Sequence, residues 1–243
     1  MASRECDIDV LFITETRIDA STTPLVFDGW KSITKPAIRI GSKSHYGIIA
    51  LIRNRIASML QIRVSDLNDM SAQHILWLDC GTGDDMFHVG GVYLKHDWEG
   101  KNACEREQTV QLLETDLLAI HNSGRQCLIA GDFNFDAWPK TKRSPKHEEL
   151  SNNRLISRLL DRLPVDPEPP EGSTGKWLCT TIDFKGPAIK TRFTQKVSTS
   201  NDYIFATSKF WAERSGQLVV DRQGGQNSCH FNKGAFESDH AIV

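Results

Sequence analysis

The chain has 243 residues, 39% of them hydrophobic and 25% charged, which suits a folded domain with a sizeable core and excludes a disordered segment. A formal net charge of −2 excludes a strongly basic global field, so a nucleic-acid ligand would have to be held by a local patch. No apolar run approaches the roughly 18 residues a membrane helix needs, and Met1 to Asp7 lack the apolar core of a signal peptide.

Short apolar, β-branched runs predict strands at residues 9–13, 47–52, 74–78 and 87–93. A helical period follows over 105–121, with Val110, Leu113, Leu117 and Ile120 on one face. A further strand is predicted at 126–130. A second helix is predicted over 148–163, carrying Leu155, Ile156, Leu159, Leu160 and Leu163. The Pro-rich stretch 164–170 reads as a loop, and strands are expected again at 202–205 and 217–220. Trp77 and Trp211 read as core. There is no internal repeat and no convincing boundary, so a single domain over 1–243 is expected. The 6 cysteines (Cys6, Cys80, Cys104, Cys127, Cys179, Cys229) form no C-x-x-C pair. Without a secretion signal they read as free thiols in a reducing, intracellular compartment rather than as a zinc site.

The strongest chemical signal is Leu128-Ile129-Ala130-Gly131-Asp132-Phe133-Asn134. A buried strand runs into Asp132 and Asn134, two apart and so on one face. A carboxylate can orient or deprotonate water, and an amide can donate to a phosphate oxygen. A simple turn is the competing reading, since Gly, Asp and Asn all favour turns. Ser238-Asp239-His240 offers a metal ligand beside a histidine able to act as acid or charge stabiliser, against the reading of a surface dipeptide. Glu15, in Thr14-Glu15-Thr16-Arg17, follows an apolar strand, where a carboxylate needs a metal or a partner; pairing with Arg17 is the alternative. Asp202 opens the strand Asp202-Tyr203-Ile204-Phe205 and could orient an imidazole, or merely cap the strand.

Taken in order over residues 7–243, these pieces resemble the endonuclease/exonuclease/phosphatase superfamily, the deoxyribonuclease-like fold. Glu15 is similar to that family's metal-binding Glu, Gly47 to its Gly-initiated strand, and Tyr93 in Gly91-Val92-Tyr93-Leu94 to its Tyr. Asp132 and Asn134 fit its G-D-F-N motif, Asp202 its penultimate Asp, and Asp239-His240 its S-D-H. The spacing resembles the endonuclease domains of non-LTR (LINE-type) retrotransposons. Thr14-Glu15-Thr16-Arg17, the short interval from Tyr93 to Asp132, and Asn152-Asn153-Arg154-Leu155 opening a helix carry that resemblance. The sequence also departs from the family. No Asn precedes Glu15, where the family carries one on its first strand, so that strand is expected to be missing. His96 stands where some relatives place a substrate-contacting Asn.

The resemblance implies a four-layer α/β sandwich, two mainly antiparallel sheets packed face to face with helices outside. It implies phosphodiester hydrolysis, most naturally in DNA, with Mg²⁺ (or Mn²⁺ in its place) on Glu15 and Asp239 assisting. Asp132 would orient the attacking water, and Asn134 would hold a non-bridging oxygen. His240, oriented by Asp202, would stabilise charge at phosphorus, and Tyr93 would contact the phosphate. Lys142 and Arg143, in the basic loop 140–146, suit contacts to a nucleic-acid backbone, and Trp138 suits base stacking; a solvated loop is the alternative. No membrane partner is expected, and a retrotransposon origin implies a nuclear location. Two rivals stand beside this reading. One is a phosphatase of the same superfamily acting on a lipid or inositol phosphate. The other is a non-catalytic remnant that binds nucleic acid.

Overall fold

The computed structural model describes residues 8–22, 26–68, 73–95, 102–134, 177–179, 192–193, 198–199, 202–207 and 210. They divide between two compact units, Met1–Tyr93 and Leu94–Val243. The expected helix 148–163, the loop 164–170, the strand 217–220 and Trp211 lie outside the described residues. No helix among the described residues is long and apolar enough to cross a membrane.

In the first unit the order is β1 (Val10–Ile13), β2 (Trp30–Lys35), β3 (Ile38–Ile40), β4 (Lys43–His45), β5 (Ile48–Arg53), α1 (Asn54–Met59), β6 (Arg63–Val64), β7 (Ile75–Cys80) and β8 (Phe87–Tyr93). β5 pairs antiparallel with β1 on one side and β2 on the other, with Ala50 opposite both Phe12 and Ile33. Its five apolar residues, Ile48 to Ile52, are all buried, so both faces are covered and no polar alternation appears. β7 is wholly buried in the same way, between β6 and β8.

Ile48, Ala50 and Ile52 share one face of β5, and Leu76, Leu78 and Cys80 share one face of β7. These residues join one hydrophobic cluster with Ile33, Ile56 and Ile62. The three-stranded sheet β1-β5-β2 and the strands β6, β7 and β8 of a second sheet are therefore held together by aliphatic packing. Each fully buried aliphatic side chain contributes about 1.5–3 kcal/mol to that packing. Gly91 on β8 has a packing reason: a Cβ there would collide with the ring of Phe12.

β7 also buries polar residues. Asp79 faces His88 in register, with His88 Nδ1 2.9 Å from Asp79 Oδ1, and Arg63 Nη2 lies 3.1 Å from Asp79 Oδ2. The buried carboxylate is thus paired on both oxygens. Next to it, burial pushes the Cys80 thiol up to about 12, with the Asp79 charge adding to the effect. Cys80, Cys104 and Cys127 are free thiols, as expected.

The second unit contains α2 (Ala103–Asn122), β9 (Gln126–Asp132), β10 (Trp177–Cys179), β11 (Arg192–Phe193), β12 (Ser198–Thr199) and β13 (Asp202–Thr207). β13 pairs antiparallel with both β9 and β10. The predicted stripe of α2, Val110, Leu113, Leu117 and Ile120, is fully buried. The helix stops at Gly124, which takes a φ of 72° and donates its N–H to His121 O at 2.9 Å, a left-handed C-terminal cap. From there the chain enters β9, which delivers Asp132.

Candidate active site

β9 ends on Asp132, whose backbone carbonyl accepts the Leu94 N–H at 2.8 Å. Asp132 is only 8% exposed. Its Oδ1 accepts the backbone N–H of Asn134 at 2.8 Å, closing an Asx turn, and Asn134 adopts a φ of 49° to make it. The Asn134 side chain returns: Nδ2 donates to Asp132 Oδ2 at 3.1 Å and to Leu94 O at 2.8 Å. Exchanging the amide oxygen and nitrogen would set an oxygen against a carboxylate and a carbonyl, so the network fixes the assignment. Phe133, between the two polar residues, is fully buried, its ring edge-on to Phe205 at 5.1 Å and 70°. The turn reading of this motif is thus what the backbone shows, and the same turn holds the carboxylate and the amide side by side.

The register adds a second acid. Asp202, first residue of β13, stands directly opposite Asp132. The Asp132 carboxylate is a hard oxygen donor, of the kind a divalent ion such as Mg²⁺ prefers.

In the first unit, Glu15 and Arg17 are both left-handed, with φ of 53° and 54°. Their loop is pinned by its backbone: Thr16 N–H donates to Gly47 O at 3.2 Å and Arg17 N–H to Tyr46 O at 2.8 Å. Gly47 itself has a φ of 89°, and a Cβ there would lie 2.5 Å from Thr16 Oγ1. The Glu15 carboxylate is exposed, and no ion pair joins it to Arg17 among the described residues. Tyr93 is buried, its ring stacked on His74 at 6.1 Å and its N–H donated to His74 O at 2.8 Å. Tyr46 also meets His74, edge-on with ring centroids 4.3 Å apart. Of the five left-handed non-glycine residues described, Glu15 and Arg17 lie in this loop, Tyr46 in the segment that pins it, and Asn134 in the turn after β9. Such backbone costs of order 1–3 kcal/mol per residue and gathers at functional sites.

Asp132, Asn134 and Asp202 are thus brought together, and Glu15 and Tyr93 are placed within the other unit. His96, Lys142, Arg143, Asp239, His240 and Trp138 lie outside the described residues. Among the described residues no group of three or more His, Cys, Asp or Glu forms a metal cluster. Sequence reasoning missed Arg106. It is 3% exposed, and its guanidinium donates to Lys95 O at 2.7 Å and to Phe133 O at 2.8 Å. The available signal was a charged residue on the apolar stripe of α2, four residues before Val110.

The family model described as Endonuclease/Exonuclease/phosphatase matches residues 3–240. No curated protein matches in sequence. Among solved structures, the APE2 catalytic domain of Xenopus laevis is similar at 16% identity and a TM-score of 0.65, covering 97% of this chain and 82% of that one. The AP endonuclease LMAP of Leishmania major is similar at 14% identity and a TM-score of 0.68, covering 96% of this chain and 76% of that one. The endonuclease domain of TRAS1, a telomere-specific non-LTR retrotransposon, is similar at 14% identity and a TM-score of 0.53, covering 96% of this chain and 83% of that one. These likenesses bear out the expected α/β sandwich fold.

Proposed function

Because the chain belongs to the Endonuclease/Exonuclease/phosphatase family, we propose that it hydrolyses phosphodiester bonds, in DNA, as an endonuclease of the retrotransposon type. The observation that carries this reading is the fixed Asp132 carboxylate at the end of β9, clamped by Asn134 and facing Asp202. The match over 3–240 supports one catalytic domain. Likeness to DNA-processing enzymes, one of them a retrotransposon domain, supports the choice of substrate.

Asp132 orients the attacking water and takes its proton. Its two oxygens already accept from Asn134, so the lone pairs left over are aimed rather than free to rotate. Asn134 gives up its longer bond, the 3.1 Å one to Asp132, to donate to a non-bridging phosphate oxygen. Asp202 orients His240, which stabilises charge on the phosphoryl group, and Tyr93 contacts the phosphate. His96, Lys142 and Arg143 contact the nucleic-acid backbone. Glu15, with Asp239 assisting, would hold a Mg²⁺ or Mn²⁺ ion, which would supply positive charge to offset that of the phosphate.

The test sets supercoiled plasmid DNA beside a phosphoinositide, each with Mg²⁺, for the wild type and for Asp132→Ala. Nicking of the plasmid that disappears in Asp132→Ala is expected. Turnover of the phosphoinositide alone would move the assignment to the phosphatase branch. Salt-sensitive DNA binding with no Mg²⁺-dependent turnover would make the chain a binding remnant.

A further inference from the structure

We infer that Arg106 is a positioning residue for the Asp132 carboxylate, acting through the peptide group between Phe133 and Asn134; the inference rests on the hydrolytic reading above. That peptide is a rigid plane with a carbonyl on one edge and an N–H on the other. Arg106 Nη2 donates to the Phe133 carbonyl at 2.8 Å. The N–H of the same peptide, that of Asn134, donates to Asp132 Oδ1 at 2.8 Å. A cation on the carbonyl edge fixes the plane and polarises the N–H, strengthening its bond to the carboxylate.

The second arm closes the frame. Arg106 Nη1 donates to Lys95 O at 2.7 Å, and the neighbouring Glu105 accepts from Lys95 Nζ at 2.8 Å. The segment 94–95 is in turn tied to 132–134, by Leu94 N–H to Asp132 O and by Asn134 Nδ2 to Leu94 O, both at 2.8 Å. One guanidinium thus bridges the two segments that set the carboxylate, and it does so from the buried face of α2 at 3% exposure. A buried cation is costly unless well bonded, so its place on an apolar stripe calls for a purpose beyond packing. Lysine cannot reproduce it: an ammonium lacks the planar fork that reaches two carbonyls at once.

The experiment compares wild type, Arg106→Lys and Arg106→Gln in plasmid nicking, and follows the Asn134 amide by hydrogen exchange in the substrate-free protein. The expected result is a kcat lower by about 10–100-fold with KM unchanged, the size seen when groups supporting an active-site ligand are removed. Arg106→Lys retains more kcat than Arg106→Gln. The Asn134 amide exchanges faster in both variants, while the Ile129 amide in β9 keeps its wild-type protection. Wild-type kcat together with wild-type Asn134 exchange in either variant overturns the inference. So does loss of folding in both variants, since Arg106 would then serve the fold as a whole. An inactive wild type would overturn the hydrolytic reading, and the exchange data would still decide whether Arg106 holds the turn.

Discussion

Two turns follow two strands, and each presents a carboxylate, but they are built differently. At 132–134 the acid is buried and both oxygens are bonded by Asn134. At 14–17 the acid is exposed, and only the backbone of its loop is pinned, by Tyr46 and Gly47. A group that must aim a proton acceptor needs its oxygens fixed before the substrate arrives. A group that exchanges water for an ion gains from staying hydrated until the ion comes. The contrast matches the roles proposed for Asp132 and Glu15.

The largest expected effect separates the two acids by metal titration. Asp132→Asn should lower kcat by about 10²–10⁴-fold, the usual worth of an acid–base group, at every Mg²⁺ concentration. Glu15→Gln should instead raise the Mg²⁺ needed for half-maximal rate by about 10–100-fold and leave the saturated kcat near wild type. Equal behaviour of the two variants in the titration would erase the distinction.

A smaller effect sharpens it from the backbone side. Gly47→Ala places a Cβ at a φ of 89° and against Oγ1 of Thr16, the residue next to Glu15 whose backbone N–H donates to Gly47 O. The left-handed conformation alone costs about 1–2 kcal/mol, and each kcal/mol lowers Tm by about 2–4 °C in a chain of this size. Calorimetry should show that loss, with a raised Mg²⁺ requirement and an unaltered saturated rate. The smallest effect lies far from both turns. The Cys80 thiol titrates near 12 when folded, against an ordinary 9.0. Below pH 9 both states keep the proton and its contribution is intact; between 9 and 12 the unfolded chain loses its proton first, so stability declines. Denaturation midpoints across that range should fall more in the wild type than in Cys80→Ala.

Much of the fold was legible wherever burial is two-sided or strictly periodic. β5, β7, β9 and α2 lie where their apolar runs predict, because contiguous burial leaves a contiguous apolar signal. β2 was not legible. Its sequence Trp30-Lys31-Ser32-Ile33-Thr34-Lys35 places a lysine inward, buried and donating from Nζ to Ile75 O at 2.9 Å. That buried cation breaks the alternation a strand would show. α1, β3 and β4 are too short to build any period. For the candidate site, residue types nominated Asp132, Asn134 and Glu15, and the family resemblance added Tyr93. The left-handed backbone at Glu15 and Asn134 was hidden, since one dihedral leaves no pattern in sequence. Arg106 was hidden for a related reason: its partners are backbone carbonyls, which every residue carries.

Phe133 has a consequence of its own. The residue between the two side chains proposed for the chemistry is a core residue, packed against Phe205 and shut off from water. Substitutions that loosen this ring would reach the chemistry and the fold in one step.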